Sequence, residues 1–131
     1  MLMPPVSRYM TSHPYAIDPR EKLSSARYLM ATRDIHHLPV MERDQLIGIV
    51  SDRDLHPLHP LQDIPVRELM TEDVAHVAPS TPMDEVIDLM ERRKCSSVVV
   101  IGPQGVEGIF TVSDALRALG DLLRRTVEDT P

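Results

Sequence analysis

Residues 48–54 read Gly-Ile-Val-Ser-Asp-Arg-Asp, and residues 108–114 read Gly-Ile-Phe-Thr-Val-Ser-Asp. The two stretches lie 60 positions apart, and the same offset aligns residues 6–55 with residues 66–115 without a gap. Eleven of these 50 pairs are identical, whereas only about three are expected by chance for ordinary composition. The identities are Val6/Val66, Met10/Met70, Thr11/Thr71, Pro19/Pro79, Leu29/Leu89, Met30/Met90, Arg33/Arg93, Val40/Val100, Gly48/Gly108, Ile49/Ile109 and Asp54/Asp114. An internal duplication therefore decides the fold.

Each repeat is predicted to be a β-α-β-β-α unit. Short extended pieces surround Ile17 and Val77. In the second repeat the apolar residues Met83, Val86, Ile87 and Met90 follow helical spacing, and Thr81 is expected to be the N-cap. The later strands are predicted at residues 37–41, 45–51, 97–101 and 106–111. The last helices are predicted to start near Asp52 and Val112, and the second of them to reach about Val127.

These elements predict an α+β fold. A three-stranded unit cannot cover both of its faces, so we expect the two β-α-β-β-α repeats to pack sheet to sheet with pseudo-two-fold symmetry. Residues 1–131 would form one module. Its parts are repeat one at about 6–56, a linker rich in Pro and His at 57–65, repeat two at 66–120, and a helix end with tail at 121–131.

Composition excludes several classes of protein. The net charge of −6 and the acidic pI argue against a nucleic-acid partner, which would require a basic face. The single cysteine, Cys95, allows no intramolecular disulfide, and it is expected to be a small core residue. Neither a secretory leader nor a membrane-spanning run of apolar residues is predicted, so a cytoplasmic protein without a membrane partner is expected.

The motifs together resemble a known family. They are Met10-Thr11, Ile35-His36-His37-Leu38-Pro39-Val40 and residues 48–54 in the first repeat, and Met70-Thr71, Cys95-Ser96-Ser97-Val98-Val99-Val100 and residues 108–114 in the second. Over about residues 5–120 the sequence resembles the CBS domain in its tandem form, the Bateman module. The resemblance implies a regulatory module that modulates a partner protein. It also implies that AMP, ADP, ATP or S-adenosylmethionine is bound in clefts between the repeats, with no required cofactor.

The resemblance also implies the ligand-binding residues. Ser51 with Asp54 would serve one site, and Thr111 with Asp114 the other. A hydroxyl at a helix N-terminus can hold phosphate, and an acid one turn later can accept both ribose hydroxyls. Adenine is expected near the residues that follow each Met-Thr pair, namely His13, Pro14 and Tyr15 in the first repeat and Asp73, Val74 and Ala75 in the second.

The phosphate-binding position departs from the family pattern. Many relatives carry an arginine just before the second strand, where this chain has His36 in the first repeat and Ser96 in the second. Arg53 is expected to compensate in the first repeat, whereas its counterpart Ser113 cannot. The second site is therefore expected to favour a less charged ligand or to be empty. The alternative for His36 is that it points into the core or a dimer contact.

Simpler interpretations stand beside these. Ser51 and Thr111 could only cap helices, and Asp54 and Asp114 could lie on solvated faces. The histidines lack a convergent second pair of ligands for a metal site, and His56 and His59 lie beside prolines in the linker, where the helical geometry of a metal pair is not expected. No nucleophile–base pair points to an enzyme.

The helix residues Leu116, Leu119, Leu122 and Leu123 predict a homodimer. The alternative function is a dimerisation or scaffold module with vestigial clefts.

Overall fold

The computed structural model describes residues 2–55 and 63–128. The strands are β1 (Thr11–Ser12), β2 (His37–Glu42), β3 (Gln45–Ser51), β4 (His76–Val77), β5 (Ser97–Gly102) and β6 (Gly105–Thr111). The helices are α1 (Leu23–Arg33), α2 (Asp52–Leu55), α3 (Met83–Arg93) and α4 (Val112–Glu128), with short 3₁₀ turns at Val6–Arg8 and Val66–Glu68. The mixed α+β content and the twofold repetition of strands and helices are confirmed. The 3₁₀ turns and β1 were not predicted.

The chain divides into two compact units whose boundaries differ from those of the repeats. The first unit contains residues 14–55 and 63–74, and the second contains residues 2–13 and 75–128. Each unit therefore includes the opening segment of the other repeat. The predicted linker lies mostly outside the described residues, as do His56, His59 and residues 129–131.

The first unit is built on the antiparallel hairpin of β2 and β3. Ile17 bridges to Val40 in parallel, and Thr71 bridges to Ile49 through two backbone hydrogen bonds of 2.9 Å. The core is aliphatic because the sequence supplies almost no aromatic residues. Its buried members are Ile17, Leu23, Ala26, Met30, Leu38, Val40, Val50, Leu55 and Val66.

The second unit contains a four-stranded sheet in the order β1-β6-β5-β4. Strand β4 runs parallel to β5, whereas β1 and β5 run antiparallel to β6. Val98, Val99 and Val100 of β5 are fully buried, which agrees with the uninterrupted apolar sequence of this strand. Helices α3 and α4 supply Met83, Val86, Met90 and Ala118 to the core, where Phe110 is the largest fully buried residue.

A matched pair of close contacts explains several identities of the repeat. A Cβ atom added to Gly108 would lie 2.5 Å from Met10 Sδ and 2.9 Å from the Thr11 carbonyl oxygen. A Cβ atom added to Gly48 would lie 2.6 Å from Met70 Sδ and 3.0 Å from the Thr71 carbonyl oxygen. Each glycine thus allows the Met-Thr backbone to approach its strand.

One predicted helix boundary, the start of α3, differs from the structure. Helix α3 ends at Arg93 and α1 at Arg33, each followed by a residue in the left-handed conformation. The predicted N-cap role of Thr81 is wrong, because Pro82 occupies the cap position. The Thr81 hydroxyl instead accepts a hydrogen bond of 3.2 Å from the Ala78 amide and closes the preceding turn. Extended backbone at Pro82 displaces the helix start by one residue.

Candidate functional site

The first candidate site lies where β3 passes into α2. The backbone amide of Ser51 donates a 2.9 Å hydrogen bond to Oδ2 of Asp54, and the Asp54 amide donates a 3.3 Å bond to Ser51 Oγ. This reciprocal arrangement is a capping box. Asp54 is half-buried, and within residues 2–55 and 63–128 its other oxygen, Oδ1, has no hydrogen-bond partner. Among the described residues, Asp54 therefore keeps one carboxylate oxygen available to a ligand.

The second candidate site lies where β6 passes into α4, and its aspartate accepts more hydrogen bonds than Asp54 does. Asp114 is only 1% exposed, and Oδ2 accepts from the Thr111 amide at 2.9 Å and the Thr111 hydroxyl at 3.2 Å. Oδ1 accepts from the Thr11 hydroxyl at 3.2 Å and from a guanidinium nitrogen of Arg117. Four donors thus satisfy a buried carboxylate. Thr11, Thr111, Asp114 and Arg117 together form what we call the Asp114 cluster.

The simpler interpretations of these residues are partly realised. Ser51 and Thr111 do cap helices, as the simpler interpretation predicted. The idea that Asp114 lies on a solvated face is wrong, because the buried position is stabilised by charge-assisted hydrogen bonds and a counter-ion. Capping uses one carboxylate oxygen of each aspartate, so it does not prevent a ligand from meeting the other.

His36 and Arg53 both belong to the first unit, and both are exposed. Nδ1 of His36 lies 2.8 Å from Oδ2 of Asp52, and the two side chains are 60% and 54% exposed. The alternative that His36 points into the core is therefore wrong. The imidazole is instead a surface group that already faces a carboxylate, and a phosphate would have to compete with Asp52 for it.

The neighbouring histidine lies in a different environment. His37 is half-buried at the start of β2. Burial lowers the pKa of His37 below its ordinary value, an effect that the nearby Asp52 carboxylate partly opposes. The neutral imidazole is therefore the form that the fold favours.

The residues predicted around adenine in the first repeat are divided between the units. Pro14 and Tyr15 belong to the first unit, where the Arg33 guanidinium carbon lies 5.1 Å from the centre of the half-exposed Tyr15 ring. His13 belongs to the second unit, where its amide donates a 3.1 Å bond to the Glu107 carbonyl. Its positive φ of 52° marks the point at which the chain leaves β1.

The corresponding residues of the second repeat are also divided. Asp73 and Val74 belong to the first unit, and Ala75 belongs to the second. Asp73 is exposed, whereas Val74 and Ala75 are buried. The Ala75 carbonyl accepts a 2.9 Å bond from the Val99 amide. The Val74 and Ala75 side chains thus serve the core.

Sequence reasoning missed two members of the Asp114 cluster. The expected phosphate positions of the second repeat, Ser96 and Ser113, carry no charge, but Arg117 lies one helical turn after Asp114 and pairs with it. The i, i+3 spacing of an acid and an arginine on a predicted helix indicates that the two side chains can pair. Thr11 gave no local signal, since 103 residues separate it from Asp114.

Between residues 2 and 55 and between 63 and 128, no three His, Cys, Asp or Glu side chains come together as a metal site would require. No helix in those ranges combines the length and the apolar character needed to cross a membrane. Cys95 is half-buried and packs against the second core.

A duplicated strand–hydroxyl–helix motif with a partnered aspartate in each copy defines a tandem-repeat module. The CBS domain family model matches residues 6–56 and again residues 66–121. The chain belongs to the CBS domain family.

Comparison with solved structures agrees with this assignment. A Vibrio cholerae protein to which a role in acetoin utilization has been ascribed, AcuB, is 32% identical, with a TM-score of 0.85, over 99% of this chain and 100% of its own. The protein CBSX2, solved in complex with AMP, is 26% identical, with a TM-score of 0.79, over 91% of this chain and 98% of its own.

Curated relatives are longer proteins. Inosine-5′-monophosphate dehydrogenase of Thermoplasma acidophilum is 32% identical over 103 residues, which are 78% of this chain but 21% of the dehydrogenase. The match therefore spans about a fifth of that enzyme. It bears on the CBS region that the two proteins have in common.

Proposed function

We propose that this chain is a regulatory module, not an enzyme, that binds an adenosine-containing ligand and modulates a partner protein. The observation that carries the proposal is the duplicated aspartate at the start of α2 and α4, held in register by Ser51 and Thr111. At Asp54 one carboxylate oxygen has no partner in the described residues, and it lies one turn from a helix N-terminus. That geometry suits a ribose diol at the carboxylate and an anion near the backbone amides.

AMP is the first ligand to test. CBSX2 was solved with AMP, and the likeness to this chain covers nearly the full length of both. ADP, ATP and S-adenosylmethionine share the adenosine group that the aspartates would bind, so they form the comparison set. A preference among them would report on the groups around the phosphate position, including His36 and Arg53.

Calorimetry and thermal melting test the proposal together. A ligand present at 100 times its Kd stabilises the fold by about 2.7 kcal/mol, which raises the melting temperature. We expect Asp54→Ala to weaken AMP binding by roughly 10- to 150-fold at its own site, because a hydrogen bond to a charged group is lost. Asp88→Ala is the matched control, since Asp88 is an exposed carboxylate on α3 paired only with Arg92 among the described residues. Absence of binding by the parent chain for AMP, ADP, ATP and S-adenosylmethionine alike would refute the proposal.

A second candidate function, dimerisation or scaffolding with vestigial sites, is favoured by the exposed face of α4. Its large apolar residues recur at helical spacing and are half-exposed or more; they are Val112, Leu116, Leu119, Leu123 and Val127. Such a stripe is typical of a helix interface. We propose that a second copy of the chain covers it, giving a two-fold homodimer. Dimerisation without any nucleotide-induced stabilisation would favour this candidate over the first.

A further inference from the structure

Arg117 differs from the other members of the Asp114 cluster in its exposure. Its side chain is 65% exposed, whereas that of Asp114 is 1% exposed. The guanidinium therefore reaches the buried carboxylate from the solvent side. It contacts Oδ1, while Oδ2 is occupied by the amide and hydroxyl of Thr111. A ligand approaching from solvent meets Arg117 before it meets the aspartate.

We propose that Arg117 is the specificity-determining residue of the Asp114 site and selects ligands that carry a phosphate. This inference rests on the proposed function and concerns the same site. A ribose diol that approaches from the solvent side can reach Oδ1 only by displacing Arg117. A neutral nucleoside would then leave both the guanidinium and the buried carboxylate without an oppositely charged partner.

A phosphorylated nucleoside changes that balance. Its phosphate gives the released guanidinium a new anionic partner, and arginine binds phosphate through paired N–H donors. The arginine thus exchanges one anion for another while the ribose hydroxyls take its place on Asp114. The site is expected to discriminate strongly between AMP and adenosine.

The Asp54 site provides the contrast within the same chain. Residue 57, which corresponds to Arg117 at the 60-residue offset, is a proline. Oδ1 of Asp54 has no partner in the described ranges, so a ribose has no guanidinium to displace. The Asp54 site is expected to discriminate less between the nucleotide and the nucleoside.

Calorimetric titrations of AMP and adenosine test the proposal. Asp54→Ala removes the ribose acceptor of the first site, so binding to this variant reports on the Asp114 site. Arg117→Gln is added to that background, and Arg124→Gln, an exposed arginine on the same helix, is the matched control. We expect Arg117→Gln to lower the ratio of AMP affinity to adenosine affinity by roughly tenfold or more, with the control unchanged. Thermal melting checks that each variant is folded, and Arg117→Lys, which keeps the charge but loses the paired donors, decides the matter if the glutamine variant does not fold; a fall in the ratio is again expected.

The outcomes separate this inference from the proposed function. An unchanged ratio in the folded Arg117 variants overturns the inference and leaves the proposed function intact. Binding of AMP by the parent but not by Asp54→Ala overturns it too, because the Asp114 site would then hold no nucleotide. No binding of AMP by the parent overturns this inference, and no binding of ADP, ATP or S-adenosylmethionine as well overturns the proposed function.

Discussion

The hydroxyl of Thr11 donates a hydrogen bond of 3.2 Å to the carboxylate of Asp114, although 103 residues separate the two along the chain. Thr11 belongs to β1, which pairs with β6, and Asp114 lies one turn beyond the end of β6. The opening segment of the first repeat thus contributes directly to the aspartate of the second. No corresponding bond joins Thr71 to Asp54 in the parts of the chain that the structure describes.

This difference predicts unequal effects of one substitution at equivalent positions. Thr11→Val keeps the shape of the side chain but removes a donor from a buried carboxylate, so it should lower the free energy of unfolding by about 1–2 kcal/mol. Thr71→Val removes a hydroxyl that does not contact Asp54, so it should change the free energy of unfolding by less than about 0.5 kcal/mol. Urea denaturation of the two variants measures both values. Equal losses would contradict the assignment of Thr11 to Asp114.

Two glycines should respond to alanine in opposite directions. At Gly108 a Cβ atom would lie 2.9 Å from the Thr11 carbonyl oxygen, so Gly108→Ala should destabilise the fold by about 1–3 kcal/mol through overpacking. Gly120 lies within α4, where the nearest neighbours of an added Cβ atom would be atoms of the flexible Arg124 side chain, at 3.3 Å or more. Gly120→Ala should stabilise the fold by about 0.5–1 kcal/mol, because alanine favours the helix. Melting temperatures that fall at both positions would contradict the helix argument, and a rise at Gly108 would contradict the close contact.

The half-buried imidazole of His37 predicts a pH dependence of stability. Its pKa is lowered in the fold, chiefly by burial, whereas the unfolded chain titrates near the ordinary value of about 6.5. Below that pH the unfolded state binds more protons than the folded state, so stability is lost as the pH falls through about 6.5 towards the lower folded pKa. At pH 8 both states are neutral at this residue and the effect is absent.

Denaturation at pH 8 and at several values below 6.5 measures the dependence. His37→Gln should make the loss below pH 6.5 smaller, since the titrating group is gone. His13→Asn is the control, because His13 is exposed and asparagine tolerates its positive φ. If His13→Asn flattened the profile as much as His37→Gln, burial of His37 would not be the cause.

The exposed face of α4 predicts the behaviour of the chain in solution. Leu116 and Leu119 are 65% and 52% exposed, so replacing both with glutamate should leave the fold intact and disrupt the proposed homodimer. Sedimentation of the double variant should give a particle near the monomer mass of 14.8 kDa, whereas the parent should give about twice that. Arg124→Glu, which changes charge on the same helix without touching the stripe, is the control. A parent chain that sediments as a monomer at micromolar concentration would rule out the dimer.

The sequence alone determined the repeat and nearly all of its elements. The strand at residues 45–51 and the helix starts at Asp52 and Val112 agree with the structure, and the other predicted strands differ by one residue at one end. These features follow from local patterns: apolar alternation, helical spacing and residues that favour turns. The capping boxes of Ser51 and Thr111 are local for the same reason, because their partners lie three residues away.

Only the tertiary structure decided what each aspartate contacts. The repeat suggested two equivalent acids, yet Asp114 is buried under Thr11 and Arg117 while Asp54 keeps an oxygen without a described partner. Likewise, only the structure shows that Gly48 and Gly108 receive the Met-Thr backbone of the other repeat. The 60-residue pattern specifies which segments can pair, but not which copy supplies the partner. That choice depends on contacts between residues that are distant in sequence. Close packing lets a Met-Thr backbone approach each glycine, and it leaves the carboxylate of Asp114 more enclosed than that of Asp54.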